Sequence, residues 1–517
     1  MKNYVFLSTH FPKFLLWICI LLGVFSCNPK EEDNTPSPIN CFKIELVSGS
    51  DTINPTLIQK LPLRVKVTDQ SGSPIRDVTV YWNLTSGKGM INATSITADN
   101  GEATNEWTVE NTRTIEKATA SLRNDNTCTL KNEVEFIATP DLSYYNCLDK
   151  EITQNTTWED KVAGEEIDYR ISCDISVTGS AMLTIAPGVI IEFEGAGSGI
   201  FTSENAGLFV AGTKEAPIIF KGKSGKKGNW QGIFFGSNHP LNQLNFVTVR
   251  DAGSTASTLT KEKSGVQLNR EKDSRALITN SIITNNDGYG VYISKGSNLS
   301  DFSTNLITNN ALSPIAIPFT AINKLNSTSE FGAANGQAFI QVISEDLVAS
   351  DLTIEKLALP YRISTAKIFI VKALTIEPGV TLEFETGTGF RLGHQASDQL
   401  DRTGSIKAVG TASDSITFRG TINGKGSWLG IGINSSSPNN QFIFCNISGG
   451  GSSQMYNAGG KGNIVLINEG TTAIIKNSVI KNSLGWGIHK SFQLSYTISI
   501  TESNNSYLNN ELGDVSP

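Results

Sequence analysis

Leu183-Thr-Ile-Ala-Pro-Gly-Val-Ile-Ile-Glu-Phe-Glu194 returns almost unchanged as Leu374-Thr-Ile-Glu-Pro-Gly-Val-Thr-Leu-Glu-Phe-Glu385. Tyr169-Arg-Ile-Ser172 is matched by Tyr361-Arg-Ile-Ser364, and Pro217-Ile-Ile-Phe-Lys-Gly222 by Ser415-Ile-Thr-Phe-Arg-Gly420. Gly228-Asn-Trp-Gln-Gly-Ile233 pairs with Gly426-Ser-Trp-Leu-Gly-Ile431, and Asn280-Ser-Ile-Ile-Thr-Asn285 with Asn477-Ser-Val-Ile-Lys-Asn482. A unit of about two hundred residues therefore occurs twice, and self-similarity on that scale governs the architecture ahead of any local motif. Within Val189–Glu194 the period is two: Val189, Ile191 and Phe193 point one way, Ile190, Glu192 and Glu194 the other.

A shorter period runs inside each half. Ser281-Ile-Ile-Thr-Asn-Asn286 recurs as Asn305-Leu-Ile-Thr-Asn-Asn310, and Ser478-Val-Ile-Lys-Asn482 as Ser506-Tyr-Leu-Asn-Asn510. Each segment is too short for a helix and rich in Ile, Val, Thr and Phe, so each is predicted to be a strand. One coil of two or three such strands cannot bury its apolar face alone; stacking coils along an axis does. Asn at matching turn positions then stacks as a ladder, because Asn tolerates the left-handed conformation and bonds nearby backbone. On this repeat grammar, residues 141–517 resemble right-handed parallel β-helix proteins of the pectin-lyase-like superfamily. The expected fold is all-β: an immunoglobulin-like β-sandwich followed by a duplicated right-handed β-helix, with halves at about 141–330 and 331–517. At the observed repeat the solenoid holds about fifteen coils and extends about 70 Å. Residues 141–180, with Cys147, Trp158 and Cys173, are expected to cap its first coil. Residues 311–373 either continue one body or separate two; continuity is the reading adopted.

The N-terminus points to export. Lys2 and Lys13 precede the apolar run Phe14–Phe25, which is too short to span a membrane and suits a secretory leader over residues 1–26. The run ends in Val24-Phe-Ser-Cys27, which resembles a bacterial lipobox, with a bulkier Phe25 than that motif usually takes. The resemblance implies lipidation of Cys27 and a membrane partner held through acyl chains. Asn28-Pro-Lys-Glu-Glu-Asp33 is similar to the signal that sends some lipoproteins to the outer face of the outer membrane. Residues 27–40 then serve as a tether. The expected location is the outer membrane, lipid-anchored and exposed on the cell surface.

Residues 41–140 form a separate module of short alternating strands. Leu63–Val67, Val78–Trp82, Ala103–Val109 and Val134–Ala138 are separated by turn signals at Gly72-Ser-Pro-Ile75 and Asp99-Asn-Gly101. The count and spacing argue for a β-sandwich. The pattern Val67-Thr-Asp69, Gly72-x-Pro74, Val80-x-Trp82, Gly101-x-Ala103 and Trp107 resembles the bacterial immunoglobulin-like domains of invasin-type adhesins. In that reading Trp82 and Trp107 are core residues and the domain is a spacer.

Of seven cysteines, Cys19 leaves with the leader. One pair per folded unit suggests Cys41 with Cys128 and Cys147 with Cys173, leaving Cys445 as a small buried residue. No Cys or His spacing suits a metal, and His239, His394 and His489 stand apart. No cofactor is implied. Calcium, which lyase chemistry would want, is possible but not indicated. The net charge of −7 and the absence of a long basic run argue against nucleic acid. Lys221-Gly-Lys-Ser-Gly-Lys-Lys227 lacks the ending and following helix of a phosphate loop, so it reads as a solvated turn.

Polysaccharide cleavage is the chief alternative function. Glu192 and Glu194, like Glu383 and Glu385, share the outward face about 6.7 Å apart, a separation that permits paired-carboxylate chemistry. The same pair in both halves also suits an ordinary solvated strand. Arg250-Asp251 is the best local candidate for lyase chemistry but has no acidic company. No catalytic residue is assigned. Trp230 and Trp428 recur at equivalent positions and are expected to pack coils rather than offer sugar platforms. The function read from the chain is a non-catalytic binding or adhesion module for glycans or surface proteins. A polysaccharide lyase or hydrolase, or an inactive relative, is second; a structural surface component is third.

Overall fold

The computed structural model describes residues 41–517 apart from 56, 111, 162–163, 165, 204, 269–273, 333, 345–346, 366–367, 397–398, 456–459 and 492–496. The expected leader, the expected lipidation site Cys27 and the expected tether through Asn40 lie outside the described residues. Among the described residues no helix is long and apolar enough to cross a membrane.

Residues 43–140 build a two-sheet sandwich. One sheet holds Lys43–Ser48, Gln59–Thr68, Glu102–Val109 and Gly89–Ile91; the other holds Asp51–Ile53, Glu133–Pro140, Glu116–Ser121, Thr79–Ser86 and Thr94–Ile96. Alternation sends Leu61, Leu63, Val65 and Val67 inward against Trp82, Trp107 and Phe136. The turn after Thr68 closes because the Asp69 carboxylate accepts from the Ser71 and Ser73 amides (2.8 and 2.9 Å). Cys41 is joined to Cys128.

From Glu151 onward the chain winds into a parallel β-helix with three strands to a coil. Its core is a column of Ile, Leu, Val and Phe, fully buried along its whole length. One sheet runs through fourteen strands from Glu151–Ile152 to Ser506–Leu508, so both halves form one body. The other two faces are interrupted. In the first half they are sheets of six and seven strands, ending at Asn298–Ser303 and Glu330–Phe331; new sheets start at Leu347–Val348 and Leu352–Ile354. A 3-10 turn, Phe319–Lys324, takes a strand's place at this junction and buries Phe319 and Ile322.

The interruption changes which face carries which repeat. Tyr169–Ile171 and Ile190–Phe193 lie on the seven-stranded sheet that ends at the junction. Their counterparts Tyr361–Ile363 and Thr381–Phe384 lie on the continuous sheet. The second half is therefore turned by one face of the three-sided coil. The two copies of the repeat thus look in different directions.

Turns are held by the expected Asn ladders. Asn280, Asn285, Asn309, Asn477, Asn482, Asn504 and Asn509 all have φ between 49° and 56°. Asn309 Nδ2 donates to Asn285 Oδ1 (3.2 Å) and Asn509 Nδ2 to Asn482 Oδ1 (2.9 Å). A second, buried ladder adjoins the first. Asn310 Oδ1 accepts from the Asn286 amide and side chain (3.2 and 2.9 Å), and Asn335 Oδ1 accepts from the Asn310 amide and side chain (2.9 and 3.0 Å). At the N-terminal end Trp158 stacks on Tyr169 (4.9 Å) beneath Tyr145, and Cys147 is joined to Cys173.

Candidate functional site

The outward glutamates are not solvated, which corrects the sequence expectation for Glu192 and Glu383. Register places Arg170, Glu192 and Lys221 on three successive strands. Glu192 is only 9% exposed and lies 3.7 Å from Arg170 and 3.6 Å from Lys221. In the second half Arg362, Glu383 and Arg419 occupy the matching strands. Glu383 is 6% exposed; Arg362 and Arg419 each donate to it at 2.7 Å, one to either carboxylate oxygen. The long cationic side chains drape over the acid between them and remove it from water. Both oxygens that paired-carboxylate chemistry would use on Glu383 are taken. Glu194 accepts from Lys223 (2.6 Å), an interaction that raises the Lys223 pKa. Glu385 has no equivalent lysine, since Thr421 replaces it.

Asp251 has no lyase geometry. It is fully buried with φ of 69°, at the turn position that Asn285 and Asn309 occupy above it. Its Oδ1 accepts from Asn285 Nδ2 (2.7 Å) and its Oδ2 from the Gly222 amide (3.2 Å). Asp251 is the first rung of the Asn ladder, and Arg250 reaches it only at 3.7 Å. The lysine-rich segment is a turn, with Gly225 and Gly228 at φ of 63° and 75°, followed by strand Ile233–Phe235.

Trp230 and Trp428 are fully buried. Trp230 stacks on Phe193 at 3.9 Å and donates to the Arg250 carbonyl (2.8 Å); Trp428 stacks on Phe384 at 4.2 Å and donates to the Ser448 carbonyl (2.7 Å). Both pack coils. Cys445 is buried and free, donating to the Ala408 carbonyl (3.4 Å), and burial pushes its thiol pKa up. His239 Nδ1 accepts from the Leu241 amide (3.2 Å). His489 is half-buried, and desolvation lowers its pKa. The side chain of His394 lies outside the described residues. Among the described residues no group of three or more His, Cys, Asp or Glu side chains could hold a metal ion.

A cleft of about 860 Å³ opens where sandwich and solenoid meet, lined by Arg113, Asp141, Lys161, Asp168, Arg170 and Lys221 among others. Sequence reading missed it because its walls come from segments far apart in the chain. Arg113, from the sandwich, donates to the Tyr144 carbonyl (2.8 Å). Arg170 donates to Asp141 (2.8 Å) and to Ser143, and its backbone exchanges bonds with Ser143 and Tyr145 (2.8 Å each). Burial pushes the Lys161 ammonium pKa down while its Nζ sits 3.6 Å from the Tyr169 ring centroid. Every named cation here except Arg113 already has an acid or aromatic partner, and Arg113 is spent on the linker. The cleft is a joint in chemistry as well as in place.

Comparison with known proteins agrees with this architecture. Residues 58–137 match the family model of the bacterial Ig-like domain (group 1), and residues 151–265 match that of the pectate-lyase like β-helix domain. The chain thus carries a bacterial immunoglobulin-like domain followed by a pectate-lyase-like β-helix. No curated protein matches it. Among solved structures, that of a conjugative transposon lipoprotein from Bacteroides eggerthii DSM 20697 aligns at 12% identity, covering 19% of this chain and 95% of that one. Its TM-score of 0.15 is too low to bear on fold or function.

Proposed function

We propose that the chain is a cell-surface lipoprotein whose β-helix is a non-catalytic binding module for glycans or other surface partners. The observation that carries this reading is the pair of cation–glutamate–cation ladders. One carboxylate of each pair spaced for glycoside chemistry is engaged, Glu192 by Arg170 and Lys221 and Glu383 by Arg362 and Arg419. A group required for acid–base work must be free to take up or release a proton at the substrate. The leader and Val24-Phe-Ser-Cys27 supply the anchor, and the sandwich serves as the spacer.

Two measurements test the proposal. Purified protein should leave pectin, alginate and neutral glycans unshortened, with or without calcium; oligosaccharide release abolished by Glu192→Gln or Glu383→Gln would overturn the non-catalytic reading. Cys27→Ser should move the protein from the membrane to the soluble fraction, with loss of acyl mass. Retention of that variant in the membrane would sink the anchor.

A further inference from the structure

The outer face of the continuous sheet carries an unusual row in the first half. Register aligns Phe201, Phe234, Gln267 and Tyr292 on four successive strands, all pointing away from the core. The Phe201 and Phe234 rings stack at 4.6 Å. Beside Tyr292, Tyr289 stands 5.7 Å away and is the register partner of Ser264. An outward row on a solenoid should be wet, yet Phe234 is 3%, Gln267 0% and Ser264 2% exposed. The cover is the loop Gly253–Lys263, pinned by Ser254, whose amide donates to the Trp230 carbonyl (2.9 Å) and whose hydroxyl donates to the Ala196 carbonyl (3.0 Å).

Two polar groups under this cover are incomplete. Gln267 Nε2 reaches the Glu262 carbonyl at 3.4 Å, but among the described residues Gln267 Oε1 has no donor and Ser264 Oγ has no partner. A buried polar atom without a partner costs about 1–3 kcal/mol, and a purely structural surface would put an apolar residue there. The two Tyr rings, half-buried beside these atoms, add flat faces for a C–H surface, and burial raises both phenols to about 12. Among the described residues the charged groups acting on Tyr289 are the acids Glu262 and Glu385, and the nearby Lys263 is paired with Asp287 (2.8 Å). That balance disfavours an anionic sugar.

We infer that Gln267, Ser264, Tyr289 and Tyr292 form a subsite for a neutral saccharide, with the loop Gly253–Lys263 as its cover. A sugar ring lies on the tyrosines, and its hydroxyls donate to Gln267 Oε1 and bond Ser264 Oγ when the loop lifts. This rests on the binding reading above and names its ligand class and place.

The test uses the full chain in calorimetric titrations with neutral hexasaccharides (β-glucan, galactan and mannan series) and with polygalacturonate as the acidic control. Tyr292→Ala and Gln267→Leu should each weaken neutral binding about tenfold, the scale of one aromatic contact or one hydrogen bond. Gln267→Leu should also leave the thermal midpoint unchanged or higher, which separates lost binding from lost folding. Tyr292→Phe keeps the stacking face and should stay within about twofold of wild type, a check that holds should the alanine variant fold poorly. Undiminished neutral binding by Tyr292→Ala and Gln267→Leu overturns the placement while leaving the glycan reading standing. Binding of polygalacturonate alone, or of none of the glycans, overturns the inference.

Discussion

Adjacent asparagines on one turn should behave very differently when replaced. Asn310 is fully buried in the inner ladder, and Asn310→Ala strips the acceptor from both the Asn286 amide and the Asn286 side chain, itself fully buried. Two orphaned donors at about 1–3 kcal/mol each set the expected cost near 4 kcal/mol. Asn309 sits one residue earlier with φ of 55° and makes a single exposed side-chain bond to Asn285. Asn309→Ala should cost about 1–2 kcal/mol, from the left-handed strain of a Cβ and one hydrogen bond. Asn309→Gly should be close to neutral, since glycine adopts that conformation freely. Solenoids open locally, so amide exchange read by mass spectrometry over residues 281–310 is the appropriate assay. Asn310→Ala should speed exchange there by about three orders of magnitude and Asn309→Ala by about one. Equal acceleration by both would refute the assignment of the larger contribution to the inner ladder.

Three further outcomes follow from the same geometry. Glu383→Gln should destabilise more than Glu192→Gln, by about 1–2 kcal/mol against less than about 1, because the Glu383 bonds are 2.7 Å and the Glu192 ion pairs 3.6–3.7 Å; equal losses in urea titrations would contradict it. His489 has its pKa depressed by burial, so its contribution is fully present above the ordinary histidine value and is lost as pH falls through the depressed one. Wild type should therefore lose more thermal stability between pH 7.5 and pH 5 than His489→Gln, and parallel curves would count against that assignment. Peptide mapping without reduction should find Cys41 with Cys128 and Cys147 with Cys173, Cys445 remaining free; a Cys128–Cys147 link would require the domain boundary to be redrawn.

The solenoid was legible in Leu183–Glu194 and its copy because strand pleat and turn chemistry are local properties. Val189, Ile191 and Phe193 do point inward, and the recurring Asn residues do take left-handed turns. What alternation does not carry is the environment of the outward side chains. Glu192 points away from the core as expected, but its burial comes from Arg170 and Lys221 on neighbouring coils, a fact of register. Asp251 looked like chemistry beside Arg250 because nothing local marks it as the first rung of the ladder of Asn285 and Asn309. The turn of one face between halves is likewise invisible to repeat matching. At that junction Phe319–Lys324 takes the place of a strand.

The Cys41–Cys128 bond has a mechanical consequence. Tension entering from the residues before Cys41 can pass through the sulfur atoms directly to Cys128, 87 positions along the chain. It then travels along Glu133–Pro140 into Asp141 and the Arg170 clamp. Residues 42–127, which include most strands of the sandwich and both of its buried tryptophans, lie off that load path. A pull that would unravel an unbridged domain strand by strand instead meets a covalent shortcut and one strand. Under such a pull the sandwich acts as a stiff strut rather than an extensible spring, and the distance from Cys41 to Asp141 stays nearly constant.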